Sequence, residues 1–207
     1  AMAVAVNELY GCGLPVTDLI KIAQRAENEF VGVNCGIMDQ FAIGACRKDH
    51  ALLLNCGTLE YEHVPLNLAG YTLAIVNTNK KRQLADSKYN ERRAECDAAL
   101  EKLRGVFKIE NLASLPLSAL DEAARVLNDA KLICRTCHVV TEQNRVRRAV
   151  AALKENRIDD FALLMQQSHI SLCDDYEVTG RELDILAESA WEQGIVGARM
   201  TGAGFGG

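Results

Sequence analysis

"YTLAIVNTNKKRQLADSKYNERR", residues 71–93, changes character part-way through. Tyr71 to Thr78 is a run of apolar and β-branched residues ending in polar turn formers, the composition of a strand. From Leu84 onward, charged and apolar residues recur at helical spacing. Upstream, "HALLLNC" (50–56) and "LEYEHVPL" (59–66) are two more strand candidates bounded by turn residues. Downstream, helices are expected over 86–105, 117–128, 132–156, 158–176 and 179–194, and "GIVGARMT" (194–201) returns as a strand. Strands, then helices, then a closing strand predict an α+β chain with a boundary near residues 78–84.

The first eighty residues also carry helices. "AMAVAVNELYG" opens the chain as a helix with no capping residue in view, and Gly11-Cys12-Gly13-Leu14-Pro15 turns it. Thr17 is expected to cap a helix over "DLIKIAQRAENEF", with Asp18 in its favourable first turn. Residues 32–36 read as a loop and 37–46 as a short helix. The chain stops on "GARMTGAGFGG", a strand entering a glycine loop. Both ends therefore predict a window on a longer protein.

The 207 residues suffice for one large domain or two small ones, and 49% apolar residues supply a core. A net charge of −5 gives no basic footprint for nucleic acid or an anionic membrane. No apolar run approaches the roughly 20 residues of a membrane span, and no secretory leader pattern is visible. The eight cysteines are scattered through helix-like segments. Reduced thiols in a cytoplasmic protein are expected.

Five stretches bear on chemistry. "CRTCH" (134–138) matches the c-type haem attachment pattern, yet that chemistry belongs to exported proteins. On a helix Cys134, Cys137 and His138 share one face, as small core residues do, and a zinc site would need a second pair that the sequence lacks. "GAGFGG" (202–207) fits G-x-G-x-x-G, though no helix or later acid follows to make it a dinucleotide fingerprint. Its glycines leave backbone N–H groups free to approach a phosphate or sugar. In 77–93, Lys80, Lys81 and Arg82 follow a strand, and Tyr89 can present its phenol to a sugar hydroxyl. Glu27 sits beside Asn28 and Glu29 near a helix end, where the negative pole disfavours acids. That placement hints at a carboxylate kept for a divalent cation.

"VGVNCGIMDQFAIG" (31–44) poses the sharpest question. Asp39 is either a helix cap or a working carboxylate. Gly36 gives a ligand close access, Ile37 and Met38 supply a dry wall, and a helix N-terminal turn favours the ionised acid. A carboxylate so placed can orient a hydroxyl and take its proton, and phosphoryl transfer asks for little more than positioning and charge neutralisation.

Taken together, "ENEFVGVNCGIMDQFA", "LLLNCGTLEYEHVPL", "VNTNKKRQLADSKYNERRAEC" and "MTGAGFGG" resemble, in this order, segments of the galactokinases in the GHMP small-molecule kinase family. The resemblance covers essentially the whole chain, and Cys35 to Gln40 is its specific part. It implies a GHMP kinase fold: a ribosomal-protein-S5-like N-terminal domain, of which residues 1–78 would be the later part, and a ferredoxin-like C-terminal domain from 79 to 207. It implies ATP as co-substrate, Mg²⁺, and transfer of phosphate to the C1 hydroxyl of galactose. Asp39 would be the base, Glu27 the Mg²⁺ ligand, and Cys35, Gly36 and Tyr89 the sugar contacts. Gly202, Gly204, Gly206 and Gly207 would line the cleft, and Lys81 or Arg82 would stand near the base.

The family's early sugar motif with its arginine, and its "GLSSSAS"-like phosphate loop, are not in this sequence. The 207 residues alone are therefore expected to bind ATP poorly and to turn over little or not at all. Kinases for arabinose or galacturonate carry similar motifs, and a sugar and ATP sensor without turnover could use the same fold. Partners are expected to be a small sugar and a nucleotide, with no nucleic acid and no membrane, and the oligomeric state is left open.

Overall fold

The computed structural model describes residues 2–32, 35–68, 70–80 and 85–206. The chain divides into two compact units, residues 1–69 and 70–207. The first unit opens on α1 (Met2–Leu9) and α2 (Val16–Arg25). Pro15 holds the N-cap position of α2 and Thr17 lies inside its first turn, with no side chain capping the helix. Proline's fixed φ and missing N–H suit the mouth of a helix, which is why Thr17 is not the cap. Asp18 lies in the first turn as expected.

Instead of ending, α2 widens into a π-helical turn over Ala26–Val31 and stops at Gly32, whose φ of 82° is left-handed. After the loop, α3 spans Met38–Ala45. Strands β1 (His50–Leu54) and β2 (Tyr61–Pro65) pair antiparallel, with Leu52 opposite His63. Ile20, Ile37 and Phe41 are buried together, with Leu52, Leu54 and Leu59 packed on them. The ring of Tyr61 stands edge-on to Phe41 with centroids 5.5 Å apart. Gly44 lets α3 approach α2 closely, since a Cβ there would stand 2.7 Å from Ile20 Cγ1. His63 Nε2 donates to the Ala45 carbonyl at 2.7 Å and closes the end of α3.

The second unit is helical among the described residues: α4 (Ala85–Arg104), α5 (Leu120–Leu127), α6 (Ala130–Lys154), α7 (Ile158–Asp174) and α8 (Arg181–Glu192). Ala99, Leu103, Leu112, Leu127, Leu132 and Val140 join α4, α5 and α6 in one core. Asp129 caps α6 by accepting from the Leu132 N–H. None of these helices is long and apolar enough to cross a membrane.

The segments 71–78 and 194–201, read above as strands, form no ladder among the described residues. Strand composition is only half of a strand, since the backbone also needs a neighbour's N–H and C=O groups. Leu73, Ile75 and Val76 accordingly stand exposed, Ile75 at 87%.

Candidate active site

In the first unit, four of the residues singled out by the sequence lie on two adjoining pieces of backbone. Glu27 is in the π-helical turn, a rare element that is frequent at functional sites. Cys35 and Gly36 are in the loop, and Asp39 is in the first turn of α3. The Cys35 thiol joins them: Sγ donates to Glu27 Oε2 at 3.2 Å, with Asn28 Oδ1 at 3.3 Å as a second acceptor. Gln40 Nε2 lies 3.8 Å from that sulfur, and Gln24 Nε2 donates to the Cys35 carbonyl at 3.3 Å. Burial, followed by the Glu27 carboxylate, pushes the Cys35 thiol up from its ordinary pKa. The sulfur therefore keeps its proton and orients Glu27.

Asp39 is not a cap. Ile37 holds that position, and Asp39 is exposed with no hydrogen-bond or ion-pair partner among the described residues. Structural bonds do not occupy its carboxylate, and the α3 N-terminus favours its charge. Gly36 has an ordinary φ, and among the described residues no atom lies within 4 Å of where a Cβ would stand. The fold does not require a glycine here, whereas a ligand lying against the backbone would.

The second unit holds Tyr89, partly exposed near the start of α4, and the glycine loop. Gly202, Gly204 and Gly206 all have left-handed φ (80°, 84° and 95°). Not all the loop amides are free, which corrects the sequence reading: Phe205 N–H donates to Val178 O at 2.6 Å and Gly206 N–H to Thr179 O at 2.7 Å. The N–H groups of residues 202–204 have no acceptor among the described residues. Thr78 Oγ1 donates to the Gly206 carbonyl at 2.8 Å, and the Lys80 side chain crosses Gly206 to reach Glu182 Oε2 at 2.6 Å. Gly207, Lys81 and Arg82 lie outside the described residues.

The "CRTCH" residues belong to the helical core. Cys134 and Cys137 are free thiols. His138 is buried, bonds Ser171 Oγ through Nδ1 at 3.0 Å and stacks on Tyr176. Among the described residues no three His, Cys, Asp or Glu side chains gather as a metal cage. A single exposed carboxylate such as Glu27 is compatible with Mg²⁺, which is commonly held by one or two carboxylates together with substrate phosphates and water. Sequence reasoning missed Gln24, Asn28 and Gln40, the amides that fix the loop. Asn28 and Gln40 stand directly beside the two key acids, and that adjacency was the available signal.

Known proteins are similar to this chain in sequence and fold. The family model for the GHMP kinase N-terminal domain matches residues 1–46, and that for the GHMP kinase C-terminal domain matches 149–207, between them just over half of the chain. Galactokinase from Clostridium acetobutylicum is 51% identical over 205 residues, 99% of this chain and 53% of that protein. Galactokinase from Lactiplantibacillus plantarum gives the same figures. The crystal structure of Lactococcus lactis galactokinase complexed with galactose superposes with a TM-score of 0.94 at 46% identity, covering 99% of this chain and 53% of that one. The chain thus spans about half the length of the curated relatives it matches, shares their fold along that span, and belongs to the GHMP kinase family.

Proposed function

We propose that the full-length protein is a cytoplasmic galactokinase, transferring the γ-phosphoryl group of ATP to the C1 hydroxyl of α-D-galactose. The carrying observation is the likeness, at about half identity and along 99% of the chain, to proteins named galactokinase. Asp39 takes the C1 proton while the C1 oxygen bonds to the γ-phosphorus. The bond from that phosphorus to the bridging oxygen breaks, and ADP leaves. The free, exposed carboxylate on the first turn of α3 supports this role.

Cys35 and Gly36 line the sugar, and Tyr89 hydrogen-bonds one of its hydroxyls. Glu27 holds Mg²⁺, which supplies charge neutralisation for the phosphates. The amides of residues 202–204, which have no acceptor among the described residues, face developing negative charge; Gly207, outside the described residues, is assigned the same role. The 207-residue chain alone is expected to show little or no turnover.

The test is ADP release by the full-length protein with D-galactose, L-arabinose, galacturonate or no sugar, repeated with Asp39→Asn. Galactose-dependent release that drops by about 10³-fold or more in the variant is expected, the scale set by removal of the proton acceptor together with its charge. Equal release in the variant removes Asp39 from the chemistry. Release with another sugar alone reassigns the substrate.

A further inference from the structure

Side chains hold the segment entering the glycine loop, which pairs in no β-ladder among the described residues. Met200 is buried, so its peptide groups need partners. Its N–H donates to His169 Nδ1 at 3.0 Å, and its carbonyl accepts from Arg199 Nε at 2.8 Å. Two residues earlier the Ala198 carbonyl accepts from Trp191 Nε1 at 3.2 Å. Arg199 is itself fixed, with Nη1 2.9 Å from Ser168 Oγ and 3.6 Å from Glu142 Oε1. His169 is buried between Asp184, 3.3 Å from its Nε2, and the ring of Trp191, which it meets edge-on. Burial pushes the His169 pKa below its ordinary value. The ring is neutral because Nδ1 accepts the Met200 N–H, which leaves the proton on Nε2, on the side of Asp184. The clasp reaches the loop directly, because the Met200 methyl lies 3.0 Å from where a Cβ on Gly204 would stand. Met200 also shares its cluster with Val178 and Phe205, the backbone pair that anchors the loop.

We propose that His169 is a positioning residue: by accepting the Met200 N–H on Nδ1, it sets the conformation of Gly202–Gly206 for the phosphoryl-transfer site. This rests on the galactokinase reading for its catalytic consequence, but its structural half stands without it. The test compares three variants of the full-length protein. His169→Asn keeps an acceptor atom at the Nδ1 position, His169→Gln moves it one bond further out, and His169→Leu removes it. Amide exchange is followed in peptides covering 198–206, with α4 peptides as a control for global unfolding.

The expected result is exchange at 198–206 faster by about tenfold in the Leu and Gln variants, the scale of one lost hydrogen bond, and near wild type in the Asn variant. The kcat for sugar phosphorylation falls by up to about 100-fold in the same two variants, the scale of a misplaced reacting group, and recovers in His169→Asn. Equal protection in Asn and Gln overturns the proposal, as does unchanged exchange in Leu. Should Leu fail to fold, the Asn and Gln pair still decides. If the wild type releases no ADP with any sugar, the galactokinase reading fails while the exchange pattern still judges the clasp.

Discussion

Acid should destabilise this protein through His138, and the size of the effect follows from its surroundings. His138 is 6% exposed, and its Nδ1 lies 3.0 Å from Ser171 Oγ. Ser171 gives its only proton to Asp175 Oδ2 at 2.7 Å, so Nδ1 is the donor, and burial favours the neutral imidazole. Burial outweighs the carboxylates of Glu142 and Asp175, and with the cations Arg145 and Arg199 it pushes the pKa from 6.5 to about 4. A folded pKa below the unfolded one means that the unfolded chain binds the proton first. The stabilisation is complete above pH 6.5 and is lost as pH falls from there toward 4. At about 1.4 kcal/mol per pH step, the loss reaches about 2 kcal/mol by pH 5 and about 3 by pH 4. His138→Asn retains an N–H donor for Ser171 but cannot take up a proton. Urea unfolding of the full-length wild type and variant at pH 7 and pH 5, followed by far-UV circular dichroism, isolates the term, because His169 titrates in both proteins and cancels. The variant should lose about 2 kcal/mol less over that interval. Parallel pH dependences would refute the reasoning.

Two further expectations concern packing. Gly204→Ala combines a left-handed φ with a Cβ driven into the Val178 carbonyl, and should cost about 3 kcal/mol or more. Gly36→Ala meets nothing and should leave stability within about 0.5 kcal/mol; thermal unfolding of the two side by side checks both. Arg135, 1% exposed, bonds Glu95 at 2.7 Å, the Asp175 carbonyl at 2.6 Å and Glu177. Arg135→Met should cost about 3 kcal/mol by leaving Glu95 undercompensated, and adding Glu95→Gln should restore part of it in a double-mutant cycle.

Those contrasts mark what the sequence could and could not convey. The helices were legible because their faces repeat at a fixed spacing, and α4 to α8 appear within a few residues of where periodicity put them. The strands β1 and β2 were legible as short apolar runs bounded by turn residues, although their antiparallel pairing shows only in the structure. Residues 71–78 and 194–201 carry strand composition, yet a ladder depends on a partner that no local pattern encodes. The π-helical turn at Glu27 was invisible for a related reason: one widened turn leaves the residue pattern unchanged, although the misplaced acid did flag the residue. Asp39, Cys35 and Gly36 were found as a sequence block, but the bond from Cys35 to Glu27 spans eight positions and shows only in three dimensions.

The clasp on Met200 extends the same argument. A buried peptide must find partners whether or not a strand is beside it. Here His169 lies thirty-one positions upstream, and it carried no motif that marked it as important. Glu142 and Ser168 act one step further away, through Arg199. A glycine loop gains freedom from its missing side chains, and that freedom is useful to a phosphate site only if something else fixes the backbone. In this chain two kinds of contact do so: carbonyls 178 and 179 hold the far end, and side chains from α7 and α8 hold the entry. Between these anchors lie residues 201–204, whose N–H groups have no acceptor among the described residues and stay available to a ligand.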